Sequence, residues 1–168
     1  MSNKLFFICP CDYLESEIKS RFRGRHYFYT GLGNNYIFNH KSLDQIHVLL
    51  KERSISKIVF IANYRNKFYV DTINEEYHAS VSIKSVRKVY SNLKKLINPL
   101  VFHQYKAEIQ LKILASFNLL NQTNKLIDAY KTIYKTDDFE HEAYIFDEKL
   151  NKFEKINKYR LITACSAN

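Results

Sequence analysis

Sulfur, carboxylate and carboxamide groups gather at the ends of two short apolar runs. Leu5-Phe6-Phe7-Ile8 leads into Cys9-Pro10-Cys11-Asp12-Tyr13, and Lys57-Ile58-Val59-Phe60-Ile61 leads into Ala62-Asn63-Tyr64-Arg65-Asn66. Runs of this length and type predict buried strands. In an open α/β sheet the carboxyl ends of strands are where ligands bind, because loops and helix N-termini converge there. Two thiols beside a carboxylate suggest metal binding or redox chemistry, yet both patterns are incomplete. Cys9-Pro10-Cys11 is accompanied by no second cysteine pair and no His-x-x-x-His, and its spacing is not that of the usual two-residue redox motif. A metal set could be completed only if His26, His40 or His78 folded against Cys9, Cys11 and Asp12. Gly31-Leu32-Gly33-Asn34 lacks the third glycine and the lysine of a phosphate-cradling loop, so it reads as a turn. No Gly-x-Ser-x-Gly nucleophile elbow is present.

The elements that must position these groups follow from periodicity. Residues 4–9 form the first predicted strand. Leu14, Ile18 and Phe22 give a helix of about two turns, stopped at Gly24. Tyr27-Phe28-Tyr29 reads as a second strand, running into the turn-forming Gly31 to Asn35. Ser42 is placed to cap a helix carrying Leu43, Ile46, Leu49 and Leu50 on one stripe, and residues 57–62 form the third strand. A long helical stretch follows. Ile83, Val86, Val89, Tyr90, Leu93, Leu96 and Ile97 define one helix ending at Pro99, and residues 104–120 and 124–134 define two more. Ala143 to Asp147 and Lys152 to Ile156 then alternate like an edge hairpin, with Tyr159 to Cys165 as a last strand or tail. The expected fold is α/β: a mostly parallel four-stranded sheet flanked by helices on both faces, with an added antiparallel edge strand. One domain is expected over residues 1–168.

This order of elements, together with the strand-end segments, resembles the β-class carbonic anhydrase family. Arg23 to Asn34 is similar, without a gap, to that family's Pro-Gly-Asp-Leu-Phe-x-x-Arg-Asn-Ala-Gly-Asn stretch, with Gly24, Phe28, Gly33 and Asn34 in agreement. Ile8 to Tyr13 falls where the family has Cys-x-Asp-x-Arg, and Ile61 to Asn66 where it has Gly-His-x-x-Cys. On that correspondence Cys9 matches the first zinc-ligand cysteine. Cys11 replaces the motif Asp, and Tyr13 replaces the Arg that pairs with it. Asn63 replaces the zinc-ligand His, and Asn66 the second zinc-ligand Cys. Zinc needs thiolate, imidazole or carboxylate donors, and an amide offers neither charge nor much basicity. One thiolate cannot hold the ion, so no metal-bound water of lowered pKa would form.

The resemblance therefore implies a catalytically inactive, carbonic anhydrase-like protein without metal or other cofactor. Its degenerate pocket (Cys9, Cys11, Tyr13, Asn34, Asn63 and Asn66) would hold a small polar ligand or serve structure and interaction. The family, in which paired subunits build the pocket, also implies a homodimer. Two alternatives stand beside this. One is a metal-dependent lyase using Cys9, Cys11 and a histidine in a reorganised zinc site. The other is a nucleic-acid-binding module led by Arg21, Arg23, Arg25, Lys94 and Lys95. Net charge is +9, but residues 1–84 hold 12 Lys/Arg against 8 Asp/Glu and residues 85–168 hold 14 against 9. That even spread is what a solvated surface requires, and it weakens the nucleic-acid alternative. No apolar run reaches the roughly 18 residues that span a bilayer, and three cysteines make no disulfide framework. A cytoplasmic protein with reduced thiols and no membrane partner is expected.

Overall fold

The computed structural model describes residues 3–76, 83–97, 105–136 and 139–156. His78, Pro99 and the Tyr159 to Cys165 segment lie outside them. Among the described residues, five strands form one sheet in the order β2-β1-β3-β4-β5: β1 (Asn3–Ile8), β2 (His26–Thr30), β3 (Ile55–Asn63), β4 (Glu140–Asp147) and β5 (Lys152–Lys155). The first four are parallel and β5 is antiparallel to β4, as the sequence leads one to expect. Among the described residues, five α-helices connect them: α1 (Glu15–Arg21), α2 (His40–Glu52), α3 (Lys67–Asn74), α4 (Lys84–Ile97) and α5 (Ala107–Tyr134).

The central strands are unbroken apolar runs over Leu5–Ile8 and Ile58–Ala62 because both faces are covered there, and their side chains divide by parity. Leu5 and Phe7 of β1 with Ile58, Phe60 and Ala62 of β3 face α2, α3, α4 and α5 in the larger core. Phe6, Ile8, Val59, Ile61 and Phe146 face the other way, onto Leu14 and Ile18 around the short α1. Phe7 stacks on Phe60 at 4.6 Å in the first layer. Phe22 meets Phe6 edge-on at 5.3 Å and Phe153 at 5.2 Å in the second. The β4–β5 turn is held by buried Asp147, which accepts N–H bonds from Lys149 and Leu150 and pairs with Lys112 of α5 at 2.7 Å.

Two local expectations are corrected. Ser42 is not the residue that opens α2. Asn39 is, its side chain accepting from the Ser42 N–H while Ser42 Oγ accepts from the Asn39 N–H, a reciprocal capping box. The two helices expected over 104–120 and 124–134 are the single 28-residue α5. The polar stretch between them suggests a break, but Gln122 and Thr123 are buried within a continuous helix. Thr123 Oγ1 bonds back to the Leu119 carbonyl at 2.8 Å, and Gln122 reaches the Tyr36 N–H across the core at 3.2 Å.

Topology sets where a ligand could sit. The chain leaves β1 for β2 on one side through α1, then crosses to β3 on the other side through α2. The carboxyl ends of β1 and β3 therefore flank the switch point, where an open parallel sheet leaves a crevice.

Candidate functional site

At the end of β1 the chain passes through buried Cys9 into one 3-10 turn, Pro10–Asp12, with proline at the first helical position. The Asp12 N–H closes that turn onto the Cys9 carbonyl at 3.1 Å, and Tyr13 follows in the left-handed region at φ 52°. This tight reversal turns the Asp12 carboxylate back toward β3. Its Oδ2 accepts from the Asn63 N–H at 3.1 Å and its Oδ1 from Asn66 Nδ2 at 2.5 Å. Asn66 caps α3, its Oδ1 accepting from the Phe68 N–H at 2.9 Å. With its oxygen so engaged, the amide must present its N–H to Asp12. Asn63 is fixed in turn, accepting from the Arg65 N–H and donating to Glu148 Oε2, both at 2.9 Å.

Behind the carboxylate, Cys9 Sγ accepts from the Gly33 N–H at 3.2 Å. Gly33 has φ +56°, and a Cβ there would lie 2.7 Å from Val89 Cγ1, so glycine is what lets this loop approach α4. Asn34 is fully buried and left-handed as well, at φ 53°. Its Nδ2 donates to the Ile61 carbonyl at 2.8 Å and to Tyr36 Oη at 3.2 Å, and its Oδ1 accepts from Tyr69 Oη at 3.0 Å. Asn118 of α5 donates to the Gly33 carbonyl at 3.0 Å and to Tyr69 Oη at 3.1 Å. Every buried side-chain polar atom among the described residues has a partner.

Burial governs the electrostatics. It pushes the Asp12 carboxyl up from 3.8 to about 7, against the opposing pull of the Asn63 N–H and the Asn66 amide, with Glu148 and Glu15 adding repulsion. Burial, then the neighbouring Asp12, raises the Cys9 thiol from 9.0 to about 11, more than its donors from Cys11, Asn66 and Gly33 lower it. The Tyr36 and Tyr69 phenols lie well above their usual range because they are wholly buried. Cys9 at neutral pH is thus a protonated, enclosed thiol and a poor nucleophile. Cys11, by contrast, is exposed to solvent. Iodoacetamide at pH 7.5 is expected to alkylate Cys11 while leaving Cys9 unmodified until the chain unfolds, as read by peptide mass spectrometry. Equal labelling of both would contradict this geometry.

Of the sequence-derived site residues, Cys9, Asn34, Asn63 and Asn66 converge on the two strand ends, bound directly or through Asp12, Gly33 and Ile61. Cys11 lies on the surface, and Tyr13 is 81 % exposed.

Comparison with solved structures gives a consistent result. CafA of Aspergillus fumigatus, a β-carbonic anhydrase, superposes with a TM-score of 0.73 at 10 % identity, covering 99 % of this chain and 82 % of that one. The chain has the β-carbonic anhydrase fold. The Coccomyxa β-carbonic anhydrase gives 0.73 at 9 % identity over 92 % of this chain and 72 % of its own. One of the tetrameric β-carbonic anhydrases of Sordaria macrospora gives 0.73 at 12 % over 93 % and 81 %. The sequence matches no family model and no curated protein. At such identities the likeness is one of fold.

The β-carbonic anhydrase fold implies a zinc ion, and the donors at this strand-end site do not fit one. Cys9 supplies one sulfur and Asp12 one carboxylate. Asn63 and Asn66 supply amides, and the Asn66 amide directs N–H groups into the site. Among the described residues no three His, Cys, Asp or Glu side chains stand close enough together to hold a metal ion. The Nε2 of His26, offered as a ligand in the reorganised zinc site, is bonded to the Phe22 carbonyl at 2.6 Å.

Asp12 is the main residue that spacing did not single out for this role. Its importance depends on partners 51 and 54 positions away. Asn118 and Gln122 were missed too. Their only sequence signal is polar residues falling on the otherwise apolar face of a helix.

Proposed function

We propose that this chain is a catalytically inactive, carbonic anhydrase-like protein whose strand-end centre works as a structural or small-ligand-binding element, in a homodimer. The observation that carries the reading is Asp12 bridging the Asn63 N–H and the Asn66 amide beside Cys9. A zinc centre sets a cation among anionic and basic donors. Here a carboxylate sits among hydrogen-bond donors, so the polarity of the centre is reversed. Such a centre ties β1 to the start of α3 without a metal, and it supplies no activated water. Self-association is supported by the tetrameric Sordaria macrospora proteins of the same fold.

Elemental analysis tests the reading. Protein expressed with added zinc and then dialysed is expected to carry far less than one zinc per chain, and to leave CO2 hydration at the uncatalysed rate in a stopped-flow assay. Stoichiometric zinc surviving dialysis, or acceleration above background, would overturn it.

A further inference from the structure

Helix α4 carries five cations, Lys84, Arg87, Lys88, Lys94 and Lys95, and no acidic residue. All five are exposed, while Val89, Tyr90 and Leu93 are buried. At 100° per residue the five cations and Ser91 fall within an arc of about 120°, along a helix about 21 Å long. Two features of this stripe work against the helix itself. Lys84 lies in the first turn, where the backbone N–H groups already carry partial positive charge and an acidic residue would be favoured. Lys84 and Lys88 are also like charges at i,i+4, which repel. The acids in and just after α3 relieve neither Lys84 nor Lys88. Glu75 reaches Lys94 at 3.9 Å, and Asp71 is bonded to Tyr90 Oη at 2.6 Å. Lys84, Arg87, Lys88 and Lys95 form no ion pair with a described residue.

Lys94 and Lys95, in the last turn, suit the helix dipole, so the cost falls on the amino-terminal half of the stripe, and binding a polyanion would offset it. We propose that the outer face of α4 docks on the phosphate backbone of duplex nucleic acid, without reading its sequence. A duplex presents one negative charge per about 1.7 Å of axis, so a stripe of this length faces a dense row of phosphates. Lys, Arg and Ser are residue types that bond phosphate oxygens. The exposed arc holds no aromatic ring on which an unpaired base could stack, which argues against single strands. The apolar face of α4 is buried in the core and cannot insert into a bilayer, which argues against a lipid surface. Arg21 differs from these residues, being tied to Glu17 at 3.6 Å and to the Asn151 carbonyl.

The test is fluorescence anisotropy with a labelled DNA duplex of about 20 bp over a salt series. Four phosphate contacts give a slope of about −3.5 in log K against log salt, a loss of roughly a hundredfold between about 50 and 200 mM. The Lys84→Gln/Lys88→Gln/Lys95→Gln variant is expected to lower the slope by close to 3 while melting near the wild-type temperature, since relief of the Lys84–Lys88 repulsion offsets the loss of Lys95 from the last turn. Arg21→Gln/Arg23→Gln/Arg25→Gln is expected to bind as wild type does. No binding at low salt would overturn the proposal, as would equal losses in both triple variants or preference for phosphatidylserine vesicles at matched salt. None of these outcomes depends on whether the Cys9–Asp12 centre holds zinc.

Discussion

Relative to the Asp12→Asn variant, the native chain is expected to lose stability as pH rises from about 4 to about 7. The Asp12 carboxyl binds its proton more tightly in the folded protein, at about 7 against 3.8 unfolded. Between those values the native state holds more protons than the unfolded state, so unfolding free energy falls with rising pH. The contribution is fully present below about pH 4 and gone above about pH 7. Three pKa units correspond to at most about 4 kcal/mol, and the polar partners and partial solvent access of Asp12 make the realised value smaller. Urea unfolding of both proteins at several pH values isolates the effect, because the difference curve cancels every other titrating group. The introduced carboxamide would also exchange one accepting oxygen for a donor facing Asn66, which offsets the whole curve without changing its slope. Parallel curves for the two proteins would show that Asp12 titrates normally.

Asn34→Ala is expected to cost about 4 kcal/mol. The substitution leaves the Ile61 carbonyl without the amide that donates to it and removes the acceptor of the Tyr69 hydroxyl, both inside the core. Each stranded buried group costs about 1–3 kcal/mol. A further 1 kcal/mol or so comes from holding alanine at φ 53°, which asparagine tolerates better. Asn34→Gly separates the two parts: it relieves the backbone but restores no hydrogen bond, so it should recover only about a quarter of the loss. Equilibrium unfolding of both variants gives the comparison. A cost below 1 kcal/mol for the alanine variant would mean that water or a rearranged Asn118 replaces the lost bonds.

The strands were legible because burial on both sheet faces demands unbroken apolar runs, and Leu5 to Ile8 and Ile58 to Ile61 satisfy that demand locally. The same holds for α4, whose apolar and cationic residues separate cleanly around the helix. Polar residues inside the core were illegible for the opposite reason. Gln122 and Thr123 look like solvent-facing punctuation, yet Gln122 serves the loop at Tyr36 and Thr123 bonds back to the Leu119 carbonyl of its own helix. Asn39 and Ser42 show a milder form of this, since either can cap a helix and only the backbone angles at Asn39 decide. At the strand ends, residue types showed where chemistry could be sought, but the bridging role of Asp12 needed both amides in space.

The contacts between α5 and the Gly33–Asn34 turn bear on the order in which the molecule can be built. Every strand-end group lies within the first 66 residues, yet the Asn118 amide that closes over Gly33 comes 85 positions later. A nascent chain that has delivered only its amino-terminal half would leave those peptide groups hydrated, and desolvating them before α5 arrives would be unfavourable. Closure of the centre is therefore a late event, reached through long chain loops and slower than the local pairing of β1 with β2.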